Sequence, residues 1–373
     1  MTQQGNSLDA IRTDLVGSFL RPSRLKETHF QRSQQQVSEE ELRRVQDQAI
    51  RDLIAREEVV GLPVVCDGEF RRDSFMDSFT AAIAGINLRG TVIPPAEEAA
   101  TPHTRGDDPT FNRRQLATER LRLVHNLVLD EFKFAQALTS TPVKVTLIGP
   151  GRIMQLYDPE SDVYSGMDEF LADVVAIERQ IIGQVVEAGC RYVQVDEPSY
   201  TAYVDNAWIQ AMKERGEDLQ AHLDQAIAAD NAVMSGFPGV TFGVHVCRGN
   251  RQSMYHREGA YDAIAERLFE GLDCQRLLLE YDTPRAGTFD PLRFVPAGKV
   301  AVLGLVSSKV PDLEEADALK RRLAEAEKFL PLGQMALSPQ CGFASGIAGN
   351  LLGEEDQWRK LELIEEVAAD VWS

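Results

Sequence analysis

Residues 240–250, VTFGVHVCRGN, form an apolar run that breaks off in a histidine, a cysteine and a polar loop. Val, Thr and Phe at its start favour an extended backbone, and in a strand residues two apart project to the same face. His245 and Cys247 therefore stand side by side as two borderline-soft donors. The same pair also suits a satisfied strand-end histidine beside a cysteine packed as a small hydrophobe, so the rest of the chain has to decide. Two further residues share this placement: Glu280, closing the run RLLLE, and Cys341, in SPQCG after a late apolar run. A Cys2His set with a carboxylate suits tetrahedral zinc if neighbouring strands bring its members together. None of this is a short-range zinc motif, and Cys66, Cys190 and Cys274 lie in the same chain with no evident role.

The ligand set narrows the chemistry. Two thiolates already neutralise a zinc ion, which makes it a poor activator of water and a better holder of a substrate thiol. A thiol so bound is deprotonated near neutral pH, and the electron-rich set, net negative if Glu280 stays close, leaves that sulfur nucleophilic. Alkyl transfer then becomes an attack by sulfur on an electrophilic carbon.

Composition sets the bounds. The 373 residues are 43% hydrophobic and 26% charged, as in a soluble globular protein. A net charge of -19 argues against a general nucleic-acid or anionic-membrane binder, either of which needs a broad positive surface. No apolar run is long enough to cross a bilayer, and the polar start MTQQGNSLDAIRTD contains no signal-peptide core. A cytoplasmic location is the expectation. Five cysteines spread from Cys66 to Cys341 are not a disulfide framework.

Eight apolar runs bounded by Gly, Pro and polar residues read as strands: 14–19, 63–66, 143–148, 192–195, the His245 run, 276–280, 300–306 and 334–337. Helical spacing separates most of them, over 38–60, 115–139, 167–188, 206–215, 219–234, 312–328 and 354–371; Ser38 with Glu41 makes a capping box. Residues 20–24 read as a basic loop followed by a polar stretch. Residues 87–114, rich in Pro, Thr, Gly and charge, read as an excursion after the second strand, built as a small hairpin. Strand-helix alternation implies parallel pairing through right-handed crossovers, and eight units close into a (β/α)8 TIM barrel, here a single domain over 1–373. A doubly wound sheet is the alternative. The barrel is favoured because ionisable residues gather just after the strands, where barrel enzymes place their chemistry.

The stretches VGSF (16–19), DGEFRRDSF (67–75), IGP (148–150), VDEP (195–198), HVC (245–247), LLLEYD (277–282) and SPQCG (338–342) resemble, in order, the C-terminal catalytic barrel of the cobalamin-independent methionine synthase family. The resemblance implies a zinc-dependent methyltransferase that converts homocysteine to methionine with 5-methyltetrahydrofolate or another methyl donor. Its metal ligands fall on His245, Cys247, Glu280 and Cys341, and its amino-acid contacts on Ser18, Glu69 and Asp196. Ser18 would hold the substrate carboxylate, while Glu69 and Asp196 would clamp the ammonium. Small molecules are the implied partners; nucleic acid and membrane are not.

Departures from the family fall on the donor side. The chain is long enough for one barrel where the full-length synthase has two. Leu156 stands where the family stacks a Trp on folate, and Val306 stands at or near the place of a proton-transfer histidine. Arg21, Arg24, Lys26, Arg71, Arg72 and Arg152, just after the first three runs, are either a path for a folate polyglutamate tail or solvated surface charges. A second enzyme reading is an alkyl transferase or lyase acting on another thiol, similar to the epoxyalkane:coenzyme M transferases; a sulfonate substrate would need cations such as Arg21, Arg71 or Arg72 facing the metal. A metal-binding barrel without catalysis is the third.

Overall fold

The computed structural model describes residues 8–86, 101–106 and 116–373. Its strands are β1 (Ile83–Ile86), β2 (Ala117–Leu123), β3 (Lys144–Ile148), β4 (Tyr192–Asp196), β5 (Thr241–Val246), β6 (Arg276–Glu280), β7 (Val300–Val306) and β8 (Met335–Pro339). The last six form one sheet in chain order, every neighbouring pair parallel. All of their residues are buried, which is why these runs are apolar almost without alternation. Long helices on the connections cover them, chiefly Glu39–Val60, Met167–Glu187, Leu219–Met234 and Glu354–Trp372. Among the described residues no helix is long and apolar enough to cross a membrane.

The first two runs flank this sheet as single parallel bridges and not as regular strands. Thr13 bridges Leu337 of β8, and Val65 bridges Val143 beside β3. Between them the Phe19 N–H donates to the Gly68 carbonyl at 3.2 Å. The order is that of a (β/α)8 barrel. Two glycines explain the irregularity, since Gly17 and Gly68 take φ of +140° and +68°, values that regular strand residues avoid. Gly17 also lies so close to β3 that an added Cβ would come 2.6 Å from Thr146 Cγ2.

Other expectations need correction. The stretch 115–139 is not one helix: Ala117–Leu123 is a strand, paired antiparallel with Ile83–Ile86, and the helix spans only Leu127–Gln136. Charged residues at 119, 120 and 122 around buried Ala117 and Leu121 suit a strand with one wet face, and the Asn126 side chain accepts from Leu129 N–H, so the helix starts there. Residues taken for a basic loop and polar stretch form the helix Ser23–Ser33, which buries only Leu25, Thr28 and His29. Too narrow an apolar stripe hid it. Of the 87–114 excursion only 101–106 lie within the described residues, but β1 and β2 form the hairpin at its base.

The irregular first run is fixed by charge. Asp14, fully buried, accepts from Lys144 Nζ at 2.7 Å, Tyr192 OH at 2.6 Å and Arg276 Nε at 3.0 Å. Those partners open β3, β4 and β6, so one carboxylate gathers three strand starts. Burial alone would raise the acid, but Lys144 and Arg276 outweigh it and hold Asp14 below its usual 3.8. Asp14→Asn leaves two buried cations without their counter-charge, at an expected cost of about 3–5 kcal/mol. Because the folded value is depressed, the gap between wild type and variant is full above pH 3.8 and closes as pH falls through the folded value. Urea unfolding of both proteins across that window checks it; equal stability at pH 7 would contradict it.

Candidate metal and thiol-binding site

His245 lies in β5, Cys247 follows the strand end, and Cys341 lies two residues beyond β8. In a flat sheet β5 and β8 would be separated by three strand spacings, about 14 Å. Yet the ligand atoms of His245, Cys247 and Cys341 all lie within 4.8 Å of one another. The sheet curls until its far strands face each other across the mouth. All three residues are at most 6% exposed, and neither nitrogen of the His245 ring finds a hydrogen-bond partner of good geometry among the described residues.

The electrostatics of the three are linked. A hydrogen bond from the Cys341 thiol, reinforced by His245, holds Cys247 well below the usual thiol range against the effect of burial. The same shared hydrogen, together with burial and the Cys247 charge, pushes Cys341 well up. Burial would lower His245, but Cys247 first, then Asp196 and Glu280, raise it. A thiolate, a thiol and an imidazole with unmatched nitrogens, sealed from water, make a donor set for a soft divalent cation.

One cleft of about 700 Å³, counting its open mouth, is lined by these three residues together with Ser18, Glu69 and Asp196. Six of the seven residues singled out by sequence therefore share one space. Register explains Asp196, which pairs directly with His245 across β4 and β5. Burial, opposed chiefly by His245, pushes its carboxyl to about 7. Glu69 holds a left-handed φ of 59°, strained for a residue with a Cβ. Arg21 grips its carbonyl at 2.8 Å and Asp67 Oδ1 accepts from its N–H at 3.0 Å. Its Oε1 accepts from Thr146 at 2.7 Å, while Oε2 is buried with no partner among the described residues. Ser18 packs on Gly342, where any side chain would overlap its hydroxyl.

Glu280 is the seventh, and its carboxylate is engaged elsewhere. One oxygen accepts from Arg248 N–H at 2.7 Å and the other from Arg285 Nη2 at 2.6 Å. Burial would raise it, but Arg248, Arg285 and Lys309 hold it at about 2. Sequence reading missed Arg285; its position five residues past Glu280 in the loop after β6 was the available signal. It also missed Asn250 and Arg257, which line the cleft.

Half of the basic cluster proves to be scaffold. Arg21 is buried and also donates to Ala344 O at 2.7 Å; Arg72 pairs with buried Glu131 at 2.6 Å; Arg71 pairs with Asp47 at 2.6 Å and lies 4.7 Å over the Phe134 ring. Arg152 lines the cleft. Leu156 and Val306 are both fully buried in the core. Residues 101–106 of the excursion dock on the loop after Cys247, Tyr255 N–H donating to Thr104 O at 3.0 Å and Gly106 N–H to Tyr255 O at 2.8 Å.

Residues 11–350 match the family described as "Cobalamin-independent synthase, Catalytic domain". The chain belongs to that family. YxjH of Bacillus subtilis (strain 168), a protein without an assigned function, is 35% identical over 367 residues, covering 97% of this chain and 94% of its own. The methionine synthase of Pyrococcus abyssi is 24% identical over 336 residues, covering 90% of this chain and 87% of its own. Among solved structures, a Listeria monocytogenes protein provisionally assigned as a vitamin-B12 independent methionine synthase superposes with a TM-score of 0.75 at 25% identity, covering 96% and 97% of the two chains. A B12-independent methionine synthase from Shewanella sp. W3-18-1 shares the fold, with a TM-score of 0.72 at 18% identity and coverage of 97% and 98%. The α/β architecture is thus that of the family's catalytic barrel, and the chain stands among metal-dependent, methionine-synthase-like methyltransferases that act on small molecules.

The donor set passes the test for such a metal, since its ring nitrogens have no well-formed hydrogen bond among the described residues outside the set itself and one sulfur is already biased to thiolate. In metal-free protein, thiolate absorbance near 240 nm should therefore titrate for one cysteine well below the others. The remaining four are all raised: burial pushes Cys190 and Cys274 to about 12 and Cys66 well above its usual value, and Cys341 is raised through its bond to Cys247. Cys247→Ser should abolish the early step, and its survival would contradict the pairing.

Proposed function

We propose that the chain is a zinc-dependent methyltransferase that methylates the thiol of homocysteine to give methionine, the whole of residues 1–373 serving as one catalytic unit. One observation carries this reading: the His245, Cys247 and Cys341 donors open into the same cleft as Ser18, Glu69 and Asp196. A metal-binding set and an amino-acid clamp in one space suit a substrate that has a thiol at one end and an ammonium and carboxylate at the other.

His245, Cys247 and Cys341 would hold the metal, and bound zinc would favour the thiolate form of a substrate thiol. With no partner among the described residues, the Oε2 of Glu69 would accept from the substrate ammonium, and Asp196, near 7 when alone, would ionise fully beside that cation. The Ser18 hydroxyl would meet the carboxylate. With the amino-acid end gripped at three points, the thiol can only reach toward the two cysteines. Burial keeps water from competing for the methyl group. Arg21, Arg71 and Arg72 are committed to other partners; Arg152 and Arg257 line the cleft, so what favours an amino acid over coenzyme M is the pair of carboxylates, Glu69 and Asp196, in the same space.

Purified protein is expected to carry about one zinc per chain, and Cys247→Ser with Cys341→Ser should lose most of it; full occupancy in that double variant, read by metal analysis, would sink the assignment. Homocysteine binding should release about one proton near neutral pH, seen by calorimetry in buffers of different ionisation enthalpy, and Glu69→Gln should weaken that binding without removing metal. The decisive assay is methionine formation by zinc-loaded protein from homocysteine and a panel of methyl donors. With Leu156 sealed in the core, a pterin lacks an aromatic partner worth about 1 kcal/mol there, and the structural arginines leave little of a path for a polyglutamate tail. Methyltetrahydrofolate should be a poor donor beside smaller or more activated ones such as methylcobalamin or simple sulfonium compounds. A clear preference for the polyglutamyl folate would reverse the reading of Leu156 and Val306; no methionine from any donor would reject the function.

A further inference from the structure

The strand β4 reads Tyr-Val-Gln-Val-Asp, and its alternation sorts the side chains between two faces. Val193 and Val195 join the main apolar core, whereas Tyr192, Gln194 and Asp196 share the opposite face, where barrels usually pack branched apolar residues. The Tyr192 hydroxyl reaches Asp14 at 2.6 Å, and Asp196 lines the cleft. Gln194, fully buried between them, is costly there unless its amide is bonded at both ends. Its Oε1 accepts from Lys144 Nζ at 2.9 Å, while Nε2 donates to Val16 O at 2.6 Å and to Asp196 Oδ1 at 2.7 Å.

Those partners decide which way the amide faces. Lys144 has only donors, and two of its three serve Asp14 Oδ1 at 2.7 Å and Leu15 O, so the third has to meet the amide oxygen. Val16 O has only lone pairs and has to meet the NH2 group. A flipped amide would set donor against donor at Lys144 and acceptor against acceptor at Val16 and Asp196. Resting on the amino-acid clamp proposed above, we infer that Gln194 is a positioning residue: its amide, oriented by Lys144, holds residue 196 with an acceptor toward the cleft and so sets the preference for a thiol that carries an ammonium. For a carboxylate at 196, the bond fixes the plane of the group and leaves Oδ2 for the cleft. For an amide in its place, the bond would also fix which end faces the cleft, and that makes the role of Gln194 measurable.

The test compares, by calorimetry on zinc-loaded protein, the affinities for homocysteine and for 4-mercaptobutanoate, which has the same thiol and carboxylate but no ammonium. Wild type should prefer homocysteine by about a hundredfold, given charge-assisted bonds from two carboxylates. Asp196→Asn should lower that ratio to about threefold or less, because Gln194 draws the new amide oxygen and leaves an NH2 group facing the ammonium. Adding Gln194→Glu should return the ratio to about thirtyfold: the carboxylate still supplies Lys144, accepts from the NH2 group and turns the amide oxygen to the cleft. Gln194→Met in the same Asp196→Asn background frees the amide to turn and should regain about tenfold, so the rescue can be read even if one double variant does not fold. Loss of packing alone would weaken both thiols together and leave their ratio where it was, and no second substitution would restore it. A ratio that stays low in the folded double variants, or that stays at the wild-type value in Asp196→Asn alone, would overturn the role of Gln194. Equal affinity of wild type for the two thiols is a different failure, since it rejects the amino-acid clamp itself and the inference with it.

Discussion

Two sulfurs that belong to strands three positions apart can meet only if the sheet between them curls, and the chemistry of this chain depends on that curl being held. The hold is at the opposite end of the strands. Asp14 enters from a segment too irregular to be a full strand and ties down the first residues of β3, β4 and β6 through Lys144, Tyr192 and Arg276. A buried carboxylate surrounded by two cations and a phenol is costly to desolvate, and a well-packed apolar set replacing the whole cluster would often be no less stable. What the charges add is direction: they admit only the arrangement in which the first run crosses those strand starts. With the base fixed in this way, the strand tips at the other end converge.

Buried polar groups in this protein differ in how much of their bonding capacity is filled. Arg72 with Glu131 and Thr146, and Arg21 with the Phe19, Glu69, Arg72 and Ala344 carbonyls, are engaged on several sides. They brace the loops on which Ser18 and Glu69 sit. His245 and Glu69 Oε2, by contrast, are buried with capacity to spare. Because a buried group without a partner carries its full desolvation penalty, such groups mark where a ligand would lower the free energy most. The strained backbone at Glu69 belongs to the same pattern, since Arg21 and Asp67 hold from either side a conformation that leaves one carboxylate oxygen without a partner among the described residues.

How much of this could be read from residues alone follows from what each feature depends on. The six sheet strands were legible because burial on both faces leaves a nearly uninterrupted apolar signature, and the helix after Ser38 because its cap is written in two residues. His245, Cys247 and Cys341 were legible as polar endings to apolar runs. Ala117–Leu123 was not, since one wet face and Glu, Arg and Leu in alternation satisfy helix and strand templates alike until the pairing with Ile83–Ile86 decides. The burial of Arg21 and Arg72 was equally hidden: charged residues after strands look like solvated loops, and only their partners at 69, 131 and 344 reveal them as internal braces. Glu280 was legible as the polar end of β6, but its bond to Arg285 depends on how the loop after β6 folds back, which no spacing encodes.

Residues that match the family line the cleft, whereas two that depart from it lie in the core. Residues that would hold a thiol-bearing amino acid are present in type and brought together in space. Leu156 and Val306, where the family presents groups to the methyl donor, are instead absorbed into the core at no exposure. Beside Val306 lies an element outside the strand-helix repeat: residues 101–106 pair with the loop after Cys247, and His103 brings its Nε2 to 3.5 Å from Ser307 Oγ, one residue past Val306. Burial first, then Arg285 and Lys309, lower that imidazole below its usual 6.5, so near neutral pH it stands uncharged at the end of β7. Since a loop can be replaced without disturbing the packing of strands beneath it, residues carried on the loops at this mouth can change while the donors at the ends of β5 and β8 stay in place.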